Sequence, residues 1–392
     1  MKIAIFSDFF YPEISGITDS IILLGKELAK RGHKVMFVIP WYADSDYGII
    51  NAVKNDDFGP NIIVKRLPSL PIPFSPTKQM RSPLFLGLGI YWMKKFGPDI
   101  IHTHSPLSPG YEAWLASKLF KIPFVGTNHT PMSEFLKGPK WFVDAVCRHY
   151  SKFYNKCQFV TTPSQYLLDY MIDYGLLQKA KPVSNPMDTL NFLPVFDEIE
   201  KKSLKKKFGF SPRTVLYTGR LAEEKHVDDI IRAVAIAKKM IPEISLAITG
   251  HGNVEKKLAS LVTELGLEKQ VRFLGFVDKD IYPLVYRASD IFTIMSTAES
   301  QSISLILGMA TGLPVIGANA RALPEYINNT NGAVVEVGDY KSLAKEIVKI
   351  FLNAELTKKL GEGGVITANK YSAENIAKEW EEIYKSAIAK TI

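Results

Sequence analysis

The hydrophobic period of this chain switches back and forth between two and about three and a half, and the switches come in a fixed order. Residues 2–7 (KIAIFS) read as a buried strand. Ile17, Ile21, Leu24 and Leu28 then recur at helical spacing until Gly32, and KVMFVI (34–39) reads as the next strand. A strand followed by a helix and another strand forms a parallel pair, because only a crossover returns the chain to the same end of a sheet. The order recurs through DIIHTH (99–104), GYEAWLASKLF, PFVGTNH, QFVTTPS and QYLLDYMIDYG. It breaks at 182–200, an irregular, proline-bearing stretch, and restarts with TVLYTG (214–219), SLAITG (245–250), VRFLGF (271–276), IFTIMS (291–296) and PVIGA (314–318). The pattern predicts an α/β protein with two doubly wound parallel-sheet domains, 1–185 and 186–371. A final amphipathic helix over 372–392 is expected to pack back on the first domain. Ligands of such sheets bind beyond the strand carboxyl ends, so two domains facing across a cleft are the expected arrangement.

Composition narrows the function. The longest uncharged apolar stretches, such as Ser82 to Met93, fall well short of the roughly 18 residues that suggest a membrane span. The start of the chain lacks the pattern of a signal peptide. Cys147 and Cys157 have no CxxC spacing, which fits a reducing cytosol rather than a disulfide scaffold. The net charge of +8 is lopsided: residues 1–185 hold 21 Lys+Arg against 14 Asp+Glu, or +7, leaving 27 against 26, or +1, for the rest. The first half is therefore the half expected to meet an anionic partner.

Several stretches carry chemistry, each with a plainer structural reading beside it. In YTGRLAEEKH, Arg220 and Lys225 follow a strand end. A fork and a point charge there suit a diphosphate, and a solvated basic loop is the alternative. ITGHGN places Gly250 and Gly252 at another strand end, for close backbone approach or for a turn. Gly16 stands ahead of the first helix, where free amides attract anions, or serves only as an entry glycine. His129 ends a strand in GTNHTP, near His102 and His104 in sheet order; no metal-ligand spacing is present, and the three read as cleft and core residues. In STAESQSISLILGMATGLP, Glu299 meets the start of a helix. The carboxylate and the amides of Ser300, Gln301, Ser302 and Ile303 suit sugar hydroxyls and phosphate oxygens, and a helix-capping acid is the alternative.

The series GRLAEEK, ITGHGN, VRFLGF and STAESQSISLILGMATGLPVIG, with FFYPEISGI at the start and NHTP between, resembles the retaining GT-B glycosyltransferases of family 4, also called glycosyl transferases group 1. The resemblance spans nearly the whole chain. It implies hexose transfer from a nucleotide diphosphate sugar, UDP- or GDP-linked, to a lipid or glycan acceptor, with neither cofactor nor metal. DSD (44–46) and DKD (278–280) are accordingly read as loops. By the same resemblance Arg220 and Lys225 grip the donor diphosphate, Gly16 faces donor phosphates or acceptor, and His129 lies near the transferred sugar. Glu299 is the first acid of an E-x7-E motif and binds sugar hydroxyls, while Gly252 and Phe276 border the nucleotide. The chain departs from the pattern at several points. Leu307 stands where the second acid, the partner of the ribose hydroxyls, is expected, and Gly308 replaces a common alanine. Ser302 replaces a glycine after the first acid, His226 the glycine after the lysine, and the opening loop has SG for GG.

The acceptor side carries its own signal. Arg148, Lys152 and Lys156 lie four apart and read as one basic stripe on a helix, interleaved with Trp141, Phe142, Tyr150, Phe153 and Tyr154. LPIPFSPTKQMRSPLFLGLG adds Lys78 and Arg81 before an apolar run. Members that glycosylate membrane lipids often carry such segments, so peripheral docking on an anionic inner membrane face is expected, with a solvated helix face as the plainer reading. Other readings of the chain are a catalytically weak GT-B paralogue that binds a glycan or supports a partner, and a GT-B epimerase or phosphorylase. Nucleic acid is not an expected partner, since no reader motif accompanies the charge.

Overall fold

The computed structural model describes residues 1–13, 15–49, 53–72, 79–134, 136 and 138–391. They divide into two compact units, Met1–Pro186 with Ala373–Ile392, and Met187–Ser372. Each is built on a parallel sheet.

In the first unit the strands are β1 (Lys2–Phe6), β2 (Lys34–Pro40), β3 (Ile62–Leu67), a hairpin of β4 (Ser69–Pro71) and β5 (Arg81–Pro83), then β6 (Ile100–Thr103), β7 (Phe124–Thr127), β8 (Phe159–Thr162) and β9 (Ala180–Pro182). The sheet order is β3-β2-β1-β6-β7-β8-β9, all parallel. The second unit holds β10 (Arg213–Thr218), β11 (Ile244–Thr249), β12 (Val271–Gly275), β13 (Ile291–Ile294), β14 (Val315–Ala318) and β15 (Gly332–Val335), in the order β12-β11-β10-β13-β14-β15. Both sheets run outward from a central strand and then reverse, so each has one switch point: between β1 and β6, and between β10 and β13.

The central strands are apolar along their whole length because helices cover both faces. Every residue of β11 is buried, as are all of β1 and β2 but their first lysines. The edge strand β3 escaped the sequence pattern for the converse reason: half-exposed on both faces, it carries Lys65 and Arg66 within an otherwise apolar run. Helix Gly16–Lys30 starts where the Ser15 side chain accepts the Thr18 amide at 3.1 Å. Gly25 inside that helix is needed for space, since a Cβ there would come within 2.2 Å of the Phe37 ring.

Helix Ala373–Ala389 belongs to the first unit. Ile376, Ala377, Trp380, Ile383 and Tyr384 are buried in one core with Ile3, Ile5 and Leu24. Tyr384 pairs with His102 Nδ1 at 2.8 Å, and Glu381 accepts from Arg31 Nε at 2.8 Å. One expected loop is a short helix instead: Asp44–Gly48 turns Asp46 inward, where it pairs with buried Arg81 at 2.6 Å. DKD at 278–280 lies between β12 and the next helix, as irregular chain.

Candidate active site

At the switch point of the second sheet, the chain leaves β10 at Thr218 and β13 at Ile294, and the two following loops knit together. The Thr297 amide donates to the Glu224 carbonyl at 2.9 Å, and its hydroxyl to the same oxygen at 3.2 Å. Lys225 Nζ reaches Glu299 Oε1 at 2.6 Å and Ser296 Oγ at 3.4 Å. Both charged side chains are nearly covered, 15% and 12% exposed, so their attraction is screened far less than a surface pair's. Arg220 stands at the same strand end but is 51% exposed and rests on Glu224 at 2.6 Å, a weak surface pair that a better anion can displace. Lys225 and Glu299 are thus brought into contact, and Arg220 is joined to them through the Glu224 backbone.

The helix after Glu299 runs Ile303–Ala310, with Ser302 as its cap. The Ser302 side chain accepts the Leu305 amide at 3.3 Å, a task the glycine expected at this position has no side chain to perform. Ser300 and Gln301 each take part in polar contacts; Gln301 is buried and its side chain bonds Tyr326. Leu307 is buried, and a Cβ on Gly308 would meet the Phe292 ring at 2.9 Å, which accounts for glycine there. His226 holds a left-handed backbone, φ 47°, which explains why glycine is common there. Gly250 and Gly252 owe their identity to loop packing. A Cβ at 252 would sit 1.9 Å from the Leu221 carbonyl oxygen, and one at 250 would sit 2.0 Å from that of Gly219. Phe276, just past β12, is exposed.

The first sheet's switch point is built of other material. Asp8 follows β1 and Ser105 follows β6; the Ser105 hydroxyl donates to Asp8 Oδ2. Both residues are buried, and Asp8 Oδ1 has no partner among the described residues. Burial pushes the Asp8 carboxyl up to about 7, and that of Glu13, in the same loop, up to about 8. Gly16 is the exposed first residue of its helix. His129 is buried, its Nε2 lies 2.8 Å from His104 Nδ1, and the rings stack at 5.1 Å. Burial lowers His129 to about 4, against a hydrogen bond with Asn185, so it is neutral at pH 7. A hollow of about 10 Å³, room for one water or one hydroxyl, is lined by His104, His129, Thr127, Asn185 and Trp380. Among the described residues no His, Cys, Asp and Glu side chains group as a metal site.

The basic stripe needs correction. Helix Lys140–Tyr154 ends before Lys156, which turns back over the Trp114 ring at 4.2 Å. Phe153 and Tyr154 are core residues. Arg148 and Lys152, with Trp141, Asp144 and His149, line an open hollow of about 540 Å³. Lys78 lies outside the described residues.

Sequence comparison agrees with this architecture. The profile described as Glycosyltransferase Family 4 matches residues 14–189, and that described as Glycosyl transferases group 1 matches 198–367. The chain belongs to the family 4, group 1 glycosyltransferases. The enzyme is a retaining hexosyltransferase that uses nucleotide sugars, and its fold is GT-B. It is 25% identical to an alpha-monoglucosyldiacylglycerol synthase of Acholeplasma laidlawii, over 100% of this chain and 98% of the relative. A Streptococcus pneumoniae protein of the same name is 27% identical over 99% and 86%. Among solved structures, Anabaena HepE in complex with UDP superposes with a TM-score of 0.79 at 20% identity, covering 98% and 100%. The same protein with UDP-glucose gives 0.75 at the same identity and coverage. No helix among the enzyme's described residues is long and apolar enough to cross a membrane.

Sequence reasoning about the glycosyltransferase missed Asp8, Glu13, Ser105 and Glu224. Asp8 and Ser105 are 97 positions apart and meet only because β1 and β6 are sheet neighbours.

Proposed function

We propose that the enzyme transfers a hexose from UDP-glucose, or a related UDP- or GDP-hexose, to the free hydroxyl of a neutral glycerolipid at an anionic membrane surface. The observation that carries the donor half is the covered Lys225–Glu299 pair at the switch point of the second sheet. Lys225 and Arg220 offset the charge that grows on the departing diphosphate, and Glu299 accepts hydrogen bonds from sugar hydroxyls. Ser300, Gln301, Ser302 and Ile303 frame the sugar and phosphates at the helix start, and Gly252 and Phe276 border the nucleotide. Gly16 faces phosphates or acceptor, and neutral His129 hydrogen-bonds the transferred sugar without adding charge. Leu307 leaves the ribose without its usual acidic partner. The acceptor attacks from the face the diphosphate leaves, and a diphosphate oxygen takes the acceptor's proton.

The lipid half is supported by full-length likeness to two alpha-monoglucosyldiacylglycerol synthases and by the surface of the first unit. Leu84, Phe85 and Leu86 are exposed in succession. The turn that follows is held by buried Glu112, which accepts the amides of Leu86, Gly87 and Gly89 at 3.0, 2.9 and 2.6 Å. An apolar tip held this firmly, with Arg148 and Lys152 in the same unit, suits shallow insertion beside anionic headgroups. The test is release of UDP and formation of glycolipid from UDP-glucose with vesicles of dioleoylglycerol in anionic lipid. Product should require the vesicles and rise with anionic lipid. No diphosphate released from any UDP- or GDP-hexose would contradict the reading, and equal transfer to a soluble glucan without vesicles would move the acceptor to a glycan.

A further inference from the structure

Among the described residues, Asp8 Oδ1 and His104 Nε2 are buried at the ligand edge of the first sheet with no hydrogen-bond partner. Asp8 is 6% exposed and His104 7%. They lie just beyond the two strands that flank the switch point, β1 and β6, where ligands of doubly wound sheets bind. A buried carboxyl oxygen without a hydrogen bond is costly, and such atoms gather where a ligand supplies the missing bond. Among the described residues Asp8 forms no ion pair; its side-chain hydrogen bond comes from Ser105, and its charge acts on another acid of the same loop, Glu13. His104 is neutral, lowered by burial and by His102 and His129.

We propose that Asp8 anchors the acceptor: its Oδ1 accepts a hydrogen bond from an acceptor hydroxyl while Oδ2 stays on Ser105, so that this end of the acceptor must be uncharged. The inference rests on the glycosyltransferase reading above and adds a selectivity rule. An alcohol donates the bond Asp8 lacks; a phosphate brings a second negative charge to a buried carboxyl that no described cation pairs with. The raised ionisation of Asp8 agrees with a site that holds uncharged groups well and anions poorly.

The test is Asp8→Asn, which keeps an oxygen for Ser105 and removes the charge. Transfer from UDP-glucose to dioleoylglycerol in vesicles is measured with monooleoylglycerol and lysophosphatidic acid as competitors, which share a free hydroxyl and differ by a phosphate. The expected result is a rise of about tenfold in acceptor KM, with a smaller change in donor KM. Inhibition by the phosphate-bearing competitor should also strengthen relative to the uncharged one. Equal shifts in both KM values, or none, with unchanged competitor preference would overturn the assignment. Ser105→Ala separates anchoring from loop pinning: if it reproduces the whole Asp8→Asn effect, Asp8 only holds the loop and the proposal fails. Asp8→Ser serves the same comparison should the Asn variant fold poorly. Wild-type protein that transfers to no acceptor from any hexose donor breaks the parent reading and this one together, whereas a normal wild type matched by Asp8→Asn breaks this one alone.

Discussion

The two switch points share a topology and differ in how their charges are settled. Beyond β10 and β13, Lys225 and Glu299 neutralise each other at 2.6 Å. Beyond β1 and β6, Asp8 and Glu13 face burial with no cation among the described residues paired to them, and His104 and His129 are held neutral. On the proposed reading a compensated pair suits a diphosphate, because the anion would take the place of Glu299 or Glu224 as partner to a cation already in place. An uncompensated edge is a poor host for anions and a good one for hydroxyls. One sheet order thus supports two opposite electrostatic environments, set by a few side chains in the loops.

The contrast is broken most severely at Lys225. Lys225→Ala should lower the rate of diphosphate release by ~10²–10³, through loss of leaving-group stabilisation and a stranded Glu299 carboxylate. Arg220→Ala should also cost at least tenfold in rate yet leave Tm unchanged, since its side chain is half exposed and weakly paired. Near-normal turnover in both would remove the diphosphate assignment.

Next comes the stability of the first unit against pH. Asp8 ionises near 4 in an unfolded chain and near 7 here, so between those values the folded state holds a proton the unfolded state has lost. Stability from this group is therefore present below pH 4, declines as pH rises, and reaches its full deficit above 7; Glu13 extends the fall to about 8. The phenols around Asp8, those of Tyr42, Tyr150 and Tyr154, are pushed upward and stay protonated through this window. Asp8→Asn should gain ~2–4 kcal/mol over wild type at pH 8 and little at pH 4.5, read by denaturant titration at both. A variant less stable at pH 8 would mark Asp8 as a structural keystone.

Leu307→Glu should sharpen the donor side by supplying the missing acid, tightening UDP binding about tenfold in calorimetry. A lower Tm with unchanged affinity would assign Leu307 to the core alone. The smallest effect is expected at the surface hollow. Arg148→Glu with Lys152→Glu should weaken vesicle binding by roughly 1 kcal/mol per residue at low salt. Lys156→Glu should do less, because its ammonium sits over Trp114.

Most of the fold was legible because parallel strands buried on both faces leave unbroken apolar runs, as in β1, β2 and β11. The strands that were missed lie at sheet edges or are very short: β3 and β15 are edges, and β9 has three residues. Departures at Ser15 and Ser302 have a local explanation the sequence also contains, since both are caps that accept an amide three residues on.

Local sequence was enough to establish the alternation, the strand ends where Arg220, Lys225 and Glu299 stand, and the resemblance those motifs carry, because hydrophobic period and capping act over a few residues. It could not show that Lys225 closes on Glu299, 74 positions away, or that Asp8 meets Ser105. Nor could it show that Lys156 leaves the basic face for Trp114. Those contacts depend on which strands become neighbours and on what each buried charge finds when water is removed, and both are decided only when the whole sheet has assembled.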